Sequence, residues 1–145
     1  MMDLSTDKVE RSILLNASPE NVWQALTDPE QTRKFMFNAA ADSDWQVGSA
    51  VTWKGNYMGY ETAERGVVIN AERPVQLKYS SFDPNFGLVD IAENYLVITY
   101  DLRDEDGSTR LDTTIENFNG DPDRCGHIAK GWDEVVLPGL HSLFP

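Results

Sequence analysis

Between Val9 and Asn16 apolar and polar residues alternate. Val9, Arg11, Ile13 and Leu15 fall on one side, Glu10, Ser12 and Asn16 on the other, and Leu14 is the mismatch. The pattern predicts an opening strand with one dry face. It stops at Ser18-Pro19-Glu20, which supplies an N-cap, a proline at the first helical position and an acid near the positive end of the helix dipole. Val22, Trp23, Ala25 and Leu26 then share one helical face. Thr27-Asp28-Pro29 ends that helix and caps a second, with Gln31 at the capping-box position and Phe35, Met36 and Phe37 at its end. Two short helices therefore follow the first strand.

From Asp44 the period changes from helical to two. Val47-Gly48-Ser49 reads as a turn, after which Val51, Trp53, Gly55 and Tyr57 line one face of a strand and Thr52, Lys54 and Asn56 the other. Thr62–Ala71, Val75–Phe82, Ile91–Leu102 and Thr109–Phe118 are four further strand-like runs rich in Val, Ile, Thr and Tyr. Their short separations demand antiparallel pairing, because a parallel crossover takes a dozen or more residues. Leu96, Ile98, Tyr100 and Leu102, with Leu111, Thr113 and Ile115, are the expected covered side of this sheet. Ile128, Trp132, Val135, Gly139 and Leu143 form the stripe of a closing amphipathic helix, in which Pro138 is expected to kink or break the last turns after roughly four turns of helix.

This order of elements predicts an α+β domain: a curved antiparallel sheet of six to seven strands around one long C-terminal helix. A single helix about 10 Å wide does not fill the concavity of a twisted sheet, so a cavity between the two is expected. The 145 residues correspond to one domain, 1–145, long enough for a sizeable core without staples.

Charge and chemistry narrow the function. Twenty-four acidic against twelve basic side chains give a net charge of −12, which repels phosphate backbones and anionic bilayers, so neither nucleic acid nor membrane is an expected partner. A single cysteine, Cys125, and an N-terminus without a basic or apolar leader segment point to the cytoplasm. Cys125, His127 and His141 are too few and too scattered for a structural metal site, and no nucleophile elbow, Walker loop or dinucleotide fingerprint is present. No metal, cofactor or catalytic residue is assigned. The acids Asp101, Asp104, Glu105 and Asp106 read as a solvated turn.

Val9 to Asn16 followed by Ala17-Ser18-Pro19-Glu20-Asn21-Val22-Trp23-Gln24-Ala25-Leu26-Thr27-Asp28-Pro29 resembles the opening of the activator of heat-shock-protein-90 ATPase homologue family, in the START-like (SRPBCC) superfamily of helix-grip folds. Trp45-Gln46-Val47-Gly48-Ser49, Gly66-Val67-Val68 with Glu72-Arg73-Pro74, and Gly131-Trp132 resemble its later segments, so the likeness runs along almost the whole chain. Ser49 stands where the family often has a second glycine, the turn at Asp106–Arg110 is one residue longer, and Pro138 is the largest departure. The resemblance implies a domain holding a hydrophobic molecule or a partner protein in a cleft under the C-terminal helix.

Aromatic walls with a few polar groups are what small-molecule pockets use. Phe35, Trp53, Tyr57, Tyr79, Tyr100, Asn117, Ile128 and Trp132 are the residues expected to approach the cavity, Asn117 because it continues the alternation of Leu111, Thr113 and Ile115 while Glu116 faces out. The leading reading is a module that binds a hydrophobic or amphipathic small molecule, a lipid or an aromatic compound. A cofactor-free cyclase or hydrolase in the same cavity, using Asn117, Tyr79 or His127, and a chaperone-interacting stress-response protein are the alternatives.

Overall fold

The computed structural model describes residues 8–145, so the reading of the extreme N-terminus lies outside it. β1 spans Lys8–Leu15. Helix α1, Pro19–Thr27, begins where Ser18 Oγ accepts the Asn21 amide and buries Val22, Trp23, Ala25 and Leu26, the face its spacing predicts. Helix α2, Pro29–Phe35, starts at Asp28, whose carboxylate accepts the Glu30 amide. Gln31 does not complete a capping box. The Asp28 amide is already spent on Gln24 O, and Gln31 donates to the Asp28 carboxylate instead. Thr32, fully buried, receives the Ala41 amide on its hydroxyl and so ties α2 to the short strand β2, Ala40–Asp42.

The remaining strands are β3 (Ala50–Tyr57), β4 (Tyr60–Thr62), β5 (Arg65–Glu72), β6 (Gln76–Ser81), β7 (Leu96–Glu105) and β8 (Ser108–Glu116). They form one antiparallel sheet in the order β1-β8-β7-β6-β5-β3-β2, with β4 paired to the end of β3. Several boundaries differ from the sequence reading. The run expected from Thr62 begins only at Arg65, Thr62 being the last residue of β4, and β2 has no counterpart in that reading. The run expected from Ile91 begins only at Leu96, because Ala92–Asn94 is a 3-10 turn.

The sheet curls at β5. Its first residues pair with β3 (Ala50↔Val67) and its later ones with β6 (Val68↔Tyr79), with a register shift between Val68 and Asn70. A Cβ on Gly66 would stand 1.7 Å from Ser80 O, so only glycine allows the two backbones to cross this closely. A bulge beside such a contact bends a sheet sharply, and the result is a half-barrel whose concave face carries Leu77, Tyr79, Ile98, Tyr100, Leu102, Leu111, Thr113 and Ile115, all buried.

The C-terminal helix lies in this half-barrel. It consists of α3 (Pro122–Gly131), a π-turn (Trp132–Val136) and α4 (Leu137–Leu143). Pro138 is expected to kink or break the last turns, and the helix runs on through it without a break. The Leu137 amide reaches back to Trp132 O, opening the helix by one residue just where proline lacks a donor, and Pro138 then occupies the first turn of α4, where none is needed. The same extra residue rotates the downstream face. Val136 and Leu140, not the expected Val135 and Gly139, are the fully buried positions after Trp132. Gly139 still has a packing reason. A Cβ there would meet Phe35 Cβ at 2.7 Å and Phe35 Cα at 2.8 Å, so its absence brings α2 and the C-terminal helix into backbone contact over Phe35.

Candidate functional site

Cross-strand neighbours on the concave face build an aromatic row. Tyr79 on β6 lies at the centre: its ring centroid is 6.3 Å from Trp45, 6.0 Å from Trp53 and 6.2 Å from Tyr100, and Tyr100 is 6.5 Å from Trp132 on the helix. The Tyr79 and Tyr100 hydroxyls are close enough to influence each other's ionisation. Burial pushes both phenols well above their ordinary titration range, so each stays neutral.

Four of the expected residues, Trp53, Tyr79, Tyr100 and Trp132, are thus brought together, and all four are buried. Phe35 is buried at the other end of the helix, under Gly139. Tyr57 is half-buried on Phe37 at the edge of β3, and Ile128 is half-buried on the helix. Asn117 is a correction. The chain leaves β8 with a left-handed residue, φ +74° at Asn117, so the alternation ends one residue earlier than expected and the side chain points outward, donating to Tyr95 O at 2.7 Å. It fastens a loop; it does not face the interior.

Sequence reasoning missed the polar end of the row. Glu64, between β4 and β5, accepts the Ser81 hydroxyl at 3.0 Å. Protein surrounds its carboxylate, yet the residue retains some contact with solvent, as a group on a concave wall does. Burial raises its pKa to about 7, the nearby Asp83 adds to the rise, and Ser81 and Arg124 oppose it. Arg124, in the first turn of α3, is only 4% exposed. Its Nη1 donates to Asn94 O at 3.0 Å, and its guanidinium carbon sits 5.4 Å from the centre of the Phe86 ring. Burial lowers its pKa, and Asp121, Asp83 and Glu64 pull it back up. Arg124 Nε, Arg124 Nη2 and Trp132 Nε1 are, among the described residues, the buried side-chain polar atoms left without a hydrogen-bond partner. All three are donors on the helix. Nothing in the spacing of the sequence distinguishes Arg124 from a solvated arginine or Glu64 from a turn acid, since both depend on long-range placement.

Beside Arg124 a cleft of about 200 Å³ opens between Phe86, Leu88, Asp121, Asp123, Arg124 and His127. None of the eight expected residues lines it. His127 is exposed and packs edge-on against Phe86, and Cys125 is buried in the core. Among the described residues no cluster of His, Cys, Asp and Glu is arranged to hold a metal ion, and no helix is long and apolar enough to cross a membrane.

The model of the family described as activator of Hsp90 ATPase homolog 1-like protein matches residues 16–144. The chain belongs to this family. Among solved structures, a protein of Cytophaga hutchinsonii is 31% identical, with a TM-score of 0.76 over 94% of this chain and 92% of that one. An HSP90 activator from Plasmodium falciparum superposes with a TM-score of 0.75 at 16% identity, covering 96% of this chain and 98% of its own. DynU16, a protein of the dynemicin biosynthetic locus, gives 0.76 at 15% identity over 94% of this chain and 46% of that one. The last two likenesses establish the fold alone. No curated protein matches the sequence.

Proposed function

We propose that this family member is a cytoplasmic binding module for an amphipathic small molecule, taken up between the half-barrel and the C-terminal helix with its apolar body along Trp53, Tyr79, Tyr100 and Trp132. The observation that carries this reading is the junction of an aromatic row with a polar end whose buried donors lack acceptors. A buried donor without a partner costs on the order of 1–3 kcal/mol, more when charged, so a fold that keeps three of them is poised for an outside acceptor. The cleft beside Arg124 is the entrance. At about 200 Å³ it is smaller than the several hundred Å³ a drug-sized ligand occupies, so uptake requires the first turns of the helix to part from the sheet. Native mass spectrometry of protein purified from its host, with a thermal-shift screen over lipids and aromatic compounds, tests the reading. A bound species of a few hundred daltons and a raised Tm are expected; no bound species and no shift with any compound would sink it.

A second reading is a cofactor-free cyclase or hydrolase in the same interior. Glu64 favours it, because a carboxylate titrating at about 7 is matched to general acid–base work near neutrality. In that case Glu64, rather than Asn117 or His127, is the base, and Glu64→Gln abolishes turnover while leaving binding intact. A chaperone partner, the third reading, rests on family membership.

A further inference from the structure

Arginine presents five N–H groups in a planar fork, and the edge formed by Nε and Nη2 matches the two oxygens of a carboxylate. This chain uses that edge on its surface. Arg11 Nε and Nη2 donate to Asp133 Oδ1 and Oδ2 at 2.6 and 2.9 Å, and Arg110 Nε and Nη2 donate to the two oxygens of Glu105 at 2.9 and 3.4 Å. At Arg124 the Nη1 corner is occupied by Asn94 O, while Nε and Nη2, the same edge, are buried and empty. Glu64 is close enough to interact electrostatically, but it makes no hydrogen bond to the guanidinium and its Oε2 takes the Ser81 hydroxyl instead.

We infer that the ligand carries a carboxylate, and that the Nε–Nη2 edge of Arg124 grips it side-on. The ligand class is a monocarboxylic acid on an apolar body, its head at the first turn of α3 and its tail toward Trp132. The inference rests on the small-molecule reading above and specifies its polar end. It accounts for a feature that stability alone does not: a buried guanidinium with one corner satisfied and its bidentate edge unused. The ring of Phe86, over the guanidinium carbon, and the cleft beside it mark the side from which the head arrives. A neutral hydroxyl or ester head would satisfy one donor at most without the charge that the fork is built to meet.

The test compares dodecanoate with 1-dodecanol, both below their aggregation limits, by titration calorimetry and tryptophan fluorescence on the full chain. Wild type is expected to bind the acid at least about tenfold more tightly than the alcohol. Arg124→Gln should remove that preference by weakening the acid far more than the alcohol, and Glu64→Gln should tighten the acid severalfold by removing a competing negative charge. Because Arg124→Gln perturbs a buried site, a second measurement uses the unaltered protein: in side-chain ¹H–¹⁵N spectra, one arginine Nε–H signal should shift with dodecanoate and stay in place with dodecanol. Equal binding of acid and alcohol, or no moving Nε–H signal, would overturn the carboxylate assignment while the small-molecule reading stands. Failure of both compounds to bind would remove the carboxylate assignment and count against the small-molecule reading, which the wider ligand screen then decides.

Discussion

The two halves of the C-terminal helix face the same sheet and are built to opposite standards. From the last residue of the π-turn onward, Val136 and Leu140 are fully buried, Gly139 lets the backbone of α2 in against the helix, and none of the unpartnered donors lies there. Arg124, before it, and Trp132, its first residue, hold three buried donor nitrogens with no acceptor, and burial raises the pKa of nearby Glu64 to about 7. The π-turn, Trp132–Val136, is the boundary. The proposed uptake of a ligand beneath the helix needs its first turns to part from the sheet, and a helix anchored at one end and unsatisfied at the other suits that role.

The largest test of this contrast is Leu140→Ala. Removing a fully buried leucine from the anchored half should cost about 3 kcal/mol, or roughly 10 °C in Tm by differential scanning calorimetry. Trp132→Phe in the other half should cost less than about 1.5 kcal/mol, because it keeps most of the volume and deletes a donor that bonds to nothing. Equal losses would mean that the helix is a uniform core element.

Glu64 offers a test of comparable size through pH. Its ordinary value is 4.5 and its folded value about 7, so the folded state binds the proton more strongly than the unfolded one. The contribution to stability is therefore full below about pH 4.5 and disappears as the pH rises through about 7, amounting to at most about 3 kcal/mol. Arg11 holds Asp133, the Tyr95 hydroxyl together with Arg65 holds Asp90, and Arg110 holds Glu105 below the usual carboxylate range, so those groups act in the opposite direction and at lower pH. Urea midpoints at pH 5 and pH 8 should fall for wild type and stay level for Glu64→Gln. A wild-type curve that is flat, or that rises with pH, would show that Glu64 is solvated.

A pair of glycine substitutions should differ in sign. Gly139→Ala places a methyl group 2.7 Å from Phe35 Cβ, a clash worth about 1–3 kcal/mol that outweighs the gain in helix propensity. Gly126→Ala, on the exposed side of α3 with nothing within 4 Å, should stabilise by up to about 1 kcal/mol. If chemical denaturation shows both stabilising, the anchored end is looser than its distances imply.

Local signals in the sequence carried most of the architecture. Ser18-Pro19 and Asp28-Pro29 mark both short helices, because capping and proline geometry are decided within four residues. The alternation from Leu96 to Leu102 and from Leu111 to Ile115 gives the covered face of the sheet, because the pleat has a fixed period of two. What the sequence could not show came from exceptions to a period or from distance. The π-turn moved the helix stripe from Val135 to Val136, and one left-handed residue turned Asn117 outward. Arg124 meets Asn94, and Glu64 meets Ser81, only after the chain has folded. The aromatic half of the candidate site was readable as hydrophobic pattern, whereas its charged half has no periodic signature at all.

The smallest effect is expected where the helix is fastened to β1 from outside. Asp133, in the first turn of the π segment, takes both oxygens to Arg11, but both side chains are substantially exposed. Asp133→Asn should therefore cost no more than about 1 kcal/mol, and the loss should shrink as salt is added, because an exposed pair gains little over hydrated ions. Its weight lies in the comparison with Arg124. The two arginines offer the same edge; on the surface the edge is filled and worth little, while in the interior it is empty and any carboxylate reaching it would meet far less competition from water. Should Asp133→Asn prove as damaging as Leu140→Ala, the clamp at Arg11 would be part of the anchor, and the freedom of the helix's first half would have to be sought on the far side of Asp133, between Pro122 and Gly131.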